Sequence, residues 1–185
     1  MSKVFSDFEV DALGFKFKDG EAYQSAECIG SYEEAMDAKV ITKKCRGVVK
    51  KKIVKGTGTG VLKITAHLPW DIYTAMYGMN LDSLIEGVKG YGQNSVHPSF
   101  GLVAHVTDED GVEKFKAYPN CVIESGAAHK VENGAEEVAE LEFEIAVSPD
   151  DFGQGMYEAL ADDIDESVAG AWMTAFTPEL VQKTV

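Results

Sequence analysis

The sequence predicts a mainly β protein, an antiparallel β-sandwich or barrel with one short flanking α-helix. Three observations support this prediction. Residues 39–55 are rich in β-branched side chains, which favour strands. Apolar and polar residues alternate through residues 61–68 and again through residues 138–147, as they do in half-buried strands. A strand-like run at residues 100–107 and an alternating run at residues 112–118 flank an Asp-Glu-Asp-Gly turn at residues 108–111, which indicates a β-hairpin.

The first third of the chain is expected to lead into a long hairpin. Residues 1–23 are predicted to form an extended N-terminal arm that carries short strand pieces. Residues 39–55 then form a strand, and the Gly-Thr-Gly-Thr-Gly run at residues 56–60 is predicted to be the hairpin tip. The returning strand covers residues 61–68.

The flanking helix is predicted directly after this hairpin. Pro69 suits the first turn of a helix, where its missing N–H costs nothing. Gly78 suits the end of the helix. The residues predicted to pack the helix onto the sheet recur at helical spacing, and they are Trp70, Tyr73, Met76 and Tyr77.

The remaining elements have weaker signals. Residues 80–96 are rich in glycine and asparagine and are predicted to be a loop over the sheet. Residues 156–160 suit a single helical turn. Residues 167–176 suit a docked helix, although a strand through Trp172 fits the same pattern. Residues 177–185 are expected to be a C-terminal tail.

Length and composition limit the class of protein. The 185 residues are expected to form a single domain, residues 1–185, with a sizeable core. We expect neither a membrane span nor a secretory signal, because no apolar run has the required length or position. Cys28, Cys45 and Cys121 are widely spaced and odd in number, so free thiols are expected rather than disulfides.

Charge is distributed unevenly along the chain. The formal net charge is −14. Residues 131–182 contain fourteen acidic residues and no Lys or Arg, whereas residues 39–55 contain eight cations and no acid. The acidic excess argues against ordinary nucleic-acid binding, because phosphate contacts need cations. Residues 39–55 are the exception, unless their lysines pair with the acidic segment of the same subunit or of a neighbour.

No catalytic or metal-binding motif is recognisable. The four histidines, His67, His97, His105 and His129, are scattered and lie at no metal-ligand spacing. The glycines of residues 56–60 lack the Gly-Lys-Ser/Thr ending of a phosphate-binding loop. We therefore expect no enzyme activity, no metal and no cofactor.

Three glutamates of one predicted strand need an explanation. Glu140, Glu142 and Glu144 project from one face at about 7 Å spacing, twice the rise per residue of a strand. They either pair across strands with the cations of residues 43–52, or face a water-filled space where negative potential is useful, or form an ordinary solvated face.

Taken in order, these features resemble the major tail proteins, or tail tube proteins, of siphophages and prophages of Gram-positive bacteria, and in particular the phi13-type group. The strands of residues 48–55 and 61–68 run into Leu-Pro-Trp-Asp-Ile-Tyr-Thr-Ala-Met-Tyr-Gly at residues 68–78. A central hairpin follows at residues 100–118, then a late alternating strand at residues 136–147 and an acidic, Trp-bearing stretch at residues 163–174. The resemblance covers residues 38–176.

The resemblance implies a structural virion protein with a tail-tube-like fold. Such proteins self-assemble into hexameric rings, which stack as a tail tube around a tape-measure protein and leave a channel for DNA. Further implied partners are tail terminator and initiator proteins, with assembly in the bacterial host cytoplasm and no membrane association. The candidate contacts between rings or subunits are Lys43, Lys44, Arg46, Lys50, Lys51, Lys52 and Lys55. The candidate luminal acids are Glu140, Glu142, Glu144, Glu33, Glu34 and Asp37.

Two alternatives remain open at this point. One is a related tube protein of a contractile injection or secretion system. The other is a small intracellular ligand-binding β-barrel, in which Trp70 or Trp172 would line an apolar pocket. A ligand-binding barrel would stay monomeric at every concentration, whereas a tube protein would not.

Overall fold

A computed structural model describes residues 4–18, 20 and 22–183. Its strands are β1 (Glu9–Phe17), β2 (Gln24–Ala26), β3 (Cys28–Cys45), β4 (Val48–His67), β5 (Phe100–Thr107), β6 (Glu113–Ile123), β7 (Leu141–Ser148) and β8 (Tyr157–Leu160). Its helices are α1 (Trp70–Met76) and α2 (Glu166–Ala175), and short 3₁₀ turns cover Ala161–Asp163 and Pro178–Val181. The predicted mainly antiparallel β fold is confirmed, with two short helices where one was expected.

The eight strands form one sheet in the order β2-β1-β5-β6-β7-β4-β3, and β8 pairs with β6. Every pairing is antiparallel. A single residue separates β2 from β3, yet β2 pairs with β1 and β3 pairs with β4. The two edge strands of the sheet, β2 and β3, are therefore consecutive in the chain. The sheet curls so that its edges come together, and β1 lies in contact with β3.

The main core fills the inside of this curl. Alternation along each strand directs one set of apolar side chains inward, including Leu13, Leu62, Leu102 and Phe143. A second core lies on the outer surface of β5 and β6, where α2 packs. Its buried members are Val103, Phe115, Ala117, Trp172 and Phe176. The main core covers one face of β5 and β6, and α2 covers the other. Both faces therefore carry buried apolar residues.

Helix α1 forms where the sequence predicts it. Pro69 is its N-cap residue, and Gly78 follows its C-cap with φ of 61°, in the left-handed region that glycine favours. Its buried stripe contains Ile72, Tyr73, Met76 and Tyr77. The prediction that Trp70 packs onto the sheet is wrong, because this side chain is 60% exposed.

Helix α2 confirms the docked-helix interpretation of residues 167–176. Trp172 is buried in the second core, and its Nε1–H donates a hydrogen bond to the backbone oxygen of Lys116 at 3.1 Å. The single helical turn expected at residues 156–160 is instead largely strand β8, which pairs with β6.

The predicted hairpin tip is in the wrong place. The turn between β3 and β4 is Arg46-Gly47, and both residues have positive φ, 49° and 80°, as a type I′ hairpin turn requires. Residues 56–60 lie inside β4 instead. Ala38 pairs with Gly56 and Met36 with Gly60, so three residues of β4 bulge opposite one residue of β3.

The termini also differ from the prediction. Residues 9–17 are not part of an arm but form β1, which lies between β2 and β5 with Leu13 and Phe15 fully buried. In the predicted tail, Leu180 and Val181 pack against the second core. The parts of the arm and tail that cover residues 1–3, 19, 21 and 184–185 lie outside the described residues.

Candidate assembly surfaces

The outer half of the β3–β4 pair projects beyond the rest of the sheet. Strand β4 pairs with β7 only from Gly60 to Ala66. Residues 38–56, named here the cationic ribbon, are paired only with each other. The nine residues from Val48 to Gly56 extend for about 26 Å, which is eight steps at a rise of about 3.3 Å per residue. The cationic ribbon is therefore a two-stranded extension without a core of its own.

Like charges face each other across the cationic ribbon. Lys39 lies opposite Lys55, and Lys43 lies opposite Lys51. Such pairs destabilise an isolated pair of strands. Among the described residues, none of the eight ribbon cations lies within ion-pair distance of a carboxylate. All seven cations predicted as assembly contacts lie here, so the structure brings that set together.

Apolar side chains lie between these groups of cations and are also exposed. They are Val40, Ile41, Val48, Val49, Ile53 and Val54. A two-stranded ribbon is marginal in water, because it buries too little apolar surface. A surface that combines exposed valines with uncompensated lysines is suited to a partner that is both apolar and acidic.

A second charged surface lies on the outer face of β3, β4 and β7, and is named here the acidic face. Glu33 of β3 and Glu144 of β7 both pair in register with Lys63 of β4. Lys63 Nζ lies 3.1 Å from Glu144 Oε1. The hydrogen bond with Glu144 is the main cause that raises the pKa of Lys63, and Glu33 and Glu142 add to it.

One row further along, Glu142 pairs with Thr65 of β4. The acidic face therefore brings together three of the predicted luminal acids, Glu33, Glu142 and Glu144. Of these, Glu144 forms an ion pair with Lys63, and the other two contribute at longer range. Of the three arrangements considered for the glutamates, cross-strand pairing with residues 43–52 is excluded, because β7 ends opposite Gly60 and does not reach the cationic ribbon.

The other predicted luminal acids lie elsewhere. Glu140 precedes β7, and its carboxylate occupies the space that a side chain at Gly30 would need. Asp37 lies opposite the bulge in β4 at the base of the cationic ribbon, where its carboxylate accepts a hydrogen bond from Thr59 Oγ1 at 2.9 Å.

Glu34 points to the opposite side of β3 from Glu33, towards the inside of the curl. Its carboxylate accepts hydrogen bonds from Lys116 Nζ at 3.1 Å and from the hydroxyl of Tyr118. The Tyr32 hydroxyl forms a hydrogen bond with the Tyr118 hydroxyl. Burial is the main cause that raises the pKa of both tyrosines. Glu34 therefore neutralises a buried lysine.

Strict alternation along β3 would have separated the two acids, because neighbouring residues of a strand face opposite sides. The sequence did not predict a strand at residues 28–37, so it gave no reason to place Glu33 and Glu34 on opposite faces. Lys116 was likewise missed as a buried partner, because its position alternates with apolar residues and resembles a solvated strand face.

A cleft opens where β1 and β3 diverge beyond β2. Its volume is about 740 Å³, and its walls include Asp7, Glu9, Ile29, Tyr32 and Lys116. The aromatic residues predicted for a ligand-binding barrel do not line it. Trp172 lies in the second core, and Trp70 borders a separate cleft of about 220 Å³ beside His129.

The described residues were compared with the requirements of a metal site and of a membrane-spanning helix. No group of three His, Cys, Asp or Glu side chains among them is arranged to hold a metal ion. None of the helices in the described part of the chain has the length and apolar character of a bilayer span. Cys28 and Cys45 are exposed at the two ends of β3, and burial raises the pKa of the Cys121 thiol.

Comparisons with known proteins find several similar solved structures, and three of them follow. No protein-family model and no curated protein matches this chain. A chain of the anti-feeding prophage baseplate is 11% identical, with a TM-score of 0.48 over 86% of this chain and 97% of that one. A chain of the PVC sheath–tube complex, an extracellular contractile injection system in its extended state, is 9% identical, with a TM-score of 0.47 over 83% and 91%. A chain of the anti-feeding prophage tube-terminating cap is 8% identical, with a TM-score of 0.45 over 86% and 96%. At these values the similarity establishes neither a shared family nor a shared function.

Proposed function

We propose that this protein is a tube-forming structural protein of a phage tail or tail-like particle. The observation that carries this proposal is the cationic ribbon, with its exposed valines and its facing lysines. The resemblance to siphophage major tail proteins supports the same role. In this proposal copies of the chain associate into rings, and the rings stack around a tape-measure protein, between an initiator and a terminator protein.

The charge of the whole chain favours a protein partner for the cationic ribbon over a nucleic acid. The net charge of −14 repels phosphate at long range. The apolar residues between the lysines gain nothing from a phosphate backbone, whereas they gain from burial in a protein interface. Other copies of this chain supply acidic surface in abundance, so self-association satisfies both requirements.

The free edge of β3 supports lateral association. This strand has 18 residues and is the last in the sheet, so among the described residues it pairs with β4 alone. A long exposed edge invites pairing with another strand, and a closed ring removes such edges. We propose hexameric rings on the strength of the resemblance.

The acidic face is the proposed lining of the channel. Glu33, Glu142 and Glu144 outnumber Lys63 there. A surface with excess negative charge repels the phosphates of DNA and lets the polymer pass without binding. Glu34 is not part of this lining, since its carboxylate is engaged by Lys116. The proposed location is the virion tail, with assembly in the host cytoplasm.

Negative-stain electron microscopy over a range of protein concentrations tests the proposal. We expect rings or tubes with a central channel for the wild type. The triple variant Lys50→Glu, Lys51→Glu, Lys52→Glu should give single particles with an unchanged circular dichroism spectrum, because the cationic ribbon lies outside both cores. Normal tubes from this variant would contradict the assembly role of the ribbon.

A ligand-binding barrel is the second candidate, and the cleft of about 740 Å³ between β1 and β3 is the observation that favours it. A wild-type protein that stays monomeric at the highest concentration, and that is stabilised by a compound from a ligand screen, would favour this candidate. Tubes that assemble only with a contractile sheath would instead indicate a contractile injection system.

A further inference from the structure

We infer that the cationic ribbon of one copy docks onto residues 126–140 of the next copy, named here the acidic loop. This inference rests on the proposed function and identifies the partner surface of that function. The docking joins two different surfaces of the same chain, so it is heterologous and propagates from copy to copy.

The two surfaces lie at opposite ends of one strand. The tip of the cationic ribbon is the start of β4 at Val48, and the acidic loop lies beside the end of β4 at His67. This placement follows from the pairing of Leu141, directly after the loop, with Ala66. Strand β4 has 20 residues, which corresponds to about 60 Å at a rise of about 3.3 Å per residue. The ribbon therefore points away from the acidic loop of its own chain.

The acidic loop is complementary to the cationic ribbon in charge. Its acids are Glu132, Glu136, Glu137 and Glu140. Its single cation, Lys130, lies 3.5 Å from Glu132 and is thereby neutralised within the loop. The ribbon has eight cations and no acid. Contact between the two surfaces would place carboxylates against the facing lysine pairs, which removes the repulsion within the ribbon.

The two surfaces also match in apolar character. Val131 and Val138 of the acidic loop are 86% and 82% exposed. The loop curls around a cleft of about 580 Å³, which these two valines line together with Glu137 and Glu140. The tip of the ribbon carries the exposed side chains of Val48 and Val49. The concave surface of the acidic loop, with its valines and acids, therefore complements the projecting tip of the ribbon, with its valines and cations.

The acidic loop is anchored at both ends, so its middle part is presented to a partner. The Tyr73 hydroxyl of α1 and His129 Nε2 are 2.6 Å apart, and their rings are in contact. Glu140 lies against Gly30 at the other end of the loop. Between these anchors, residues 131–138 are exposed throughout. Holding the loop at two points lowers the entropy cost of ordering it on docking.

A reciprocal charge swap tests the inference. The variant Lys51→Glu, Lys52→Glu and the variant Glu136→Lys, Glu137→Lys should each raise the critical assembly concentration at least about tenfold, because like charges across an interface repel. The combined four-residue variant should return to within about threefold of the wild type. The control Glu109→Lys, Asp110→Lys reverses two exposed acids of the β5–β6 turn and should assemble as the wild type does.

Disulfide trapping gives an independent measurement. Cys45 is exposed beside the tip of the ribbon. In a Cys28→Ser background, Glu137→Cys should form a disulfide with Cys45 of another copy under mild oxidation. The product should be a ladder of linked chains in the assembled fraction, and none should form when Cys45 is replaced by serine.

The outcomes separate this inference from the proposed function. Tubes that form without a cross-link, together with normal assembly of Glu136→Lys, Glu137→Lys, would overturn the acidic loop as the docking surface and leave the tube-forming role intact. A wild type that never assembles would refute the tube-forming role and the docking surface together.

Discussion

Glu33 and Glu34 are neighbours in β3, yet their removal should have very different consequences. We predict that Glu34→Ala lowers the free energy of unfolding by about 2–3 kcal/mol, and that Glu33→Ala changes it by less than about 0.5 kcal/mol. The two variants remove the same side chain from adjacent positions. Each is therefore the matched control of the other.

The size of the effect follows from the surroundings of Lys116. Its side chain is 7% exposed, and its nearest carboxylate is Glu34 at 3.1 Å. Removing one partner of a buried ion pair costs about 3–5 kcal/mol, because a buried charge is left unpaired. Two features reduce this figure here. Glu158 remains 3.9 Å from Lys116, and the Glu34 side chain is itself 19% exposed.

Thermal unfolding followed by circular dichroism measures the difference. A loss of 2–3 kcal/mol corresponds to a decrease in Tm of roughly 4–12 °C for a chain of this length. The samples must be below the concentration at which copies associate, because association raises the apparent stability. The double variant Glu34→Leu, Lys116→Met should recover most of the loss, since apolar replacements leave no charge unpaired.

Equal Tm values for Glu33→Ala and Glu34→Ala would refute the reasoning. Glu34 would then lie in a solvated position, as a luminal acid would. A double variant less stable than Glu34→Ala alone would show that packing around the two side chains, and not the unpaired charge, dominates the cost.

Three further predictions concern the positions where the structure differs from the sequence-based expectation. Met76→Ala should lower the free energy of unfolding, measured in urea, by about 2–5 kcal/mol and Trp70→Ala by less than about 1 kcal/mol, because Met76 is fully buried and Trp70 is not. Equal losses would contradict the burial pattern of α1. Gly60→Ala should lower the free energy of unfolding by about 1–3 kcal/mol, because its Cβ would lie 2.7 Å from a backbone oxygen of β3. A Cβ at Gly56 would meet nothing within 4 Å, so Gly56→Ala should be tolerated. A tolerated Gly60→Ala would argue for a hairpin tip at this position. Because burial raises the pKa of Tyr118 above its ordinary value of 10.0, its contribution to stability is complete below pH 10 and is lost as the pH rises further. Tyr118→Phe should therefore reduce the slope of stability against pH above about pH 10 by up to about 1.4 kcal/mol per pH unit, and an unchanged slope would exclude this tyrosine as its source.

Local periodicity was sufficient for several elements. The inner half of β4 and strand β7 follow the alternation in the sequence, because a half-buried strand must alternate whatever its partners are. Helix α1 follows from Pro69 and Gly78, whose backbone preferences act locally. The four-residue spacing of Val168, Trp172 and Phe176 favoured α2, but a strand through Trp172 fitted the same residues, and only the structure decides between the two.

Periodicity was insufficient where long-range pairing decides the outcome. Phe15 is buried because β1 pairs with the nearby β2 on one side and with β5 on the other, and β5 is far from it in sequence. Gly60 suits a turn by its identity, but its position between Met36 and Val147 places it inside the sheet. Local preferences of one or two residues are smaller in free energy than a complete ladder of hydrogen bonds.

The separation of charge along the chain is determined by the sequence alone, because no fold can change which residues carry it. The eight cations of residues 39–55 and the fourteen acids of residues 131–182 are present in any conformation. Only the tertiary structure decides that the cations extend from one end of β4 while the acidic loop lies at the other end. The pairing of β4 with β7 stops at Gly60, and this register holds the two charged surfaces apart within one copy.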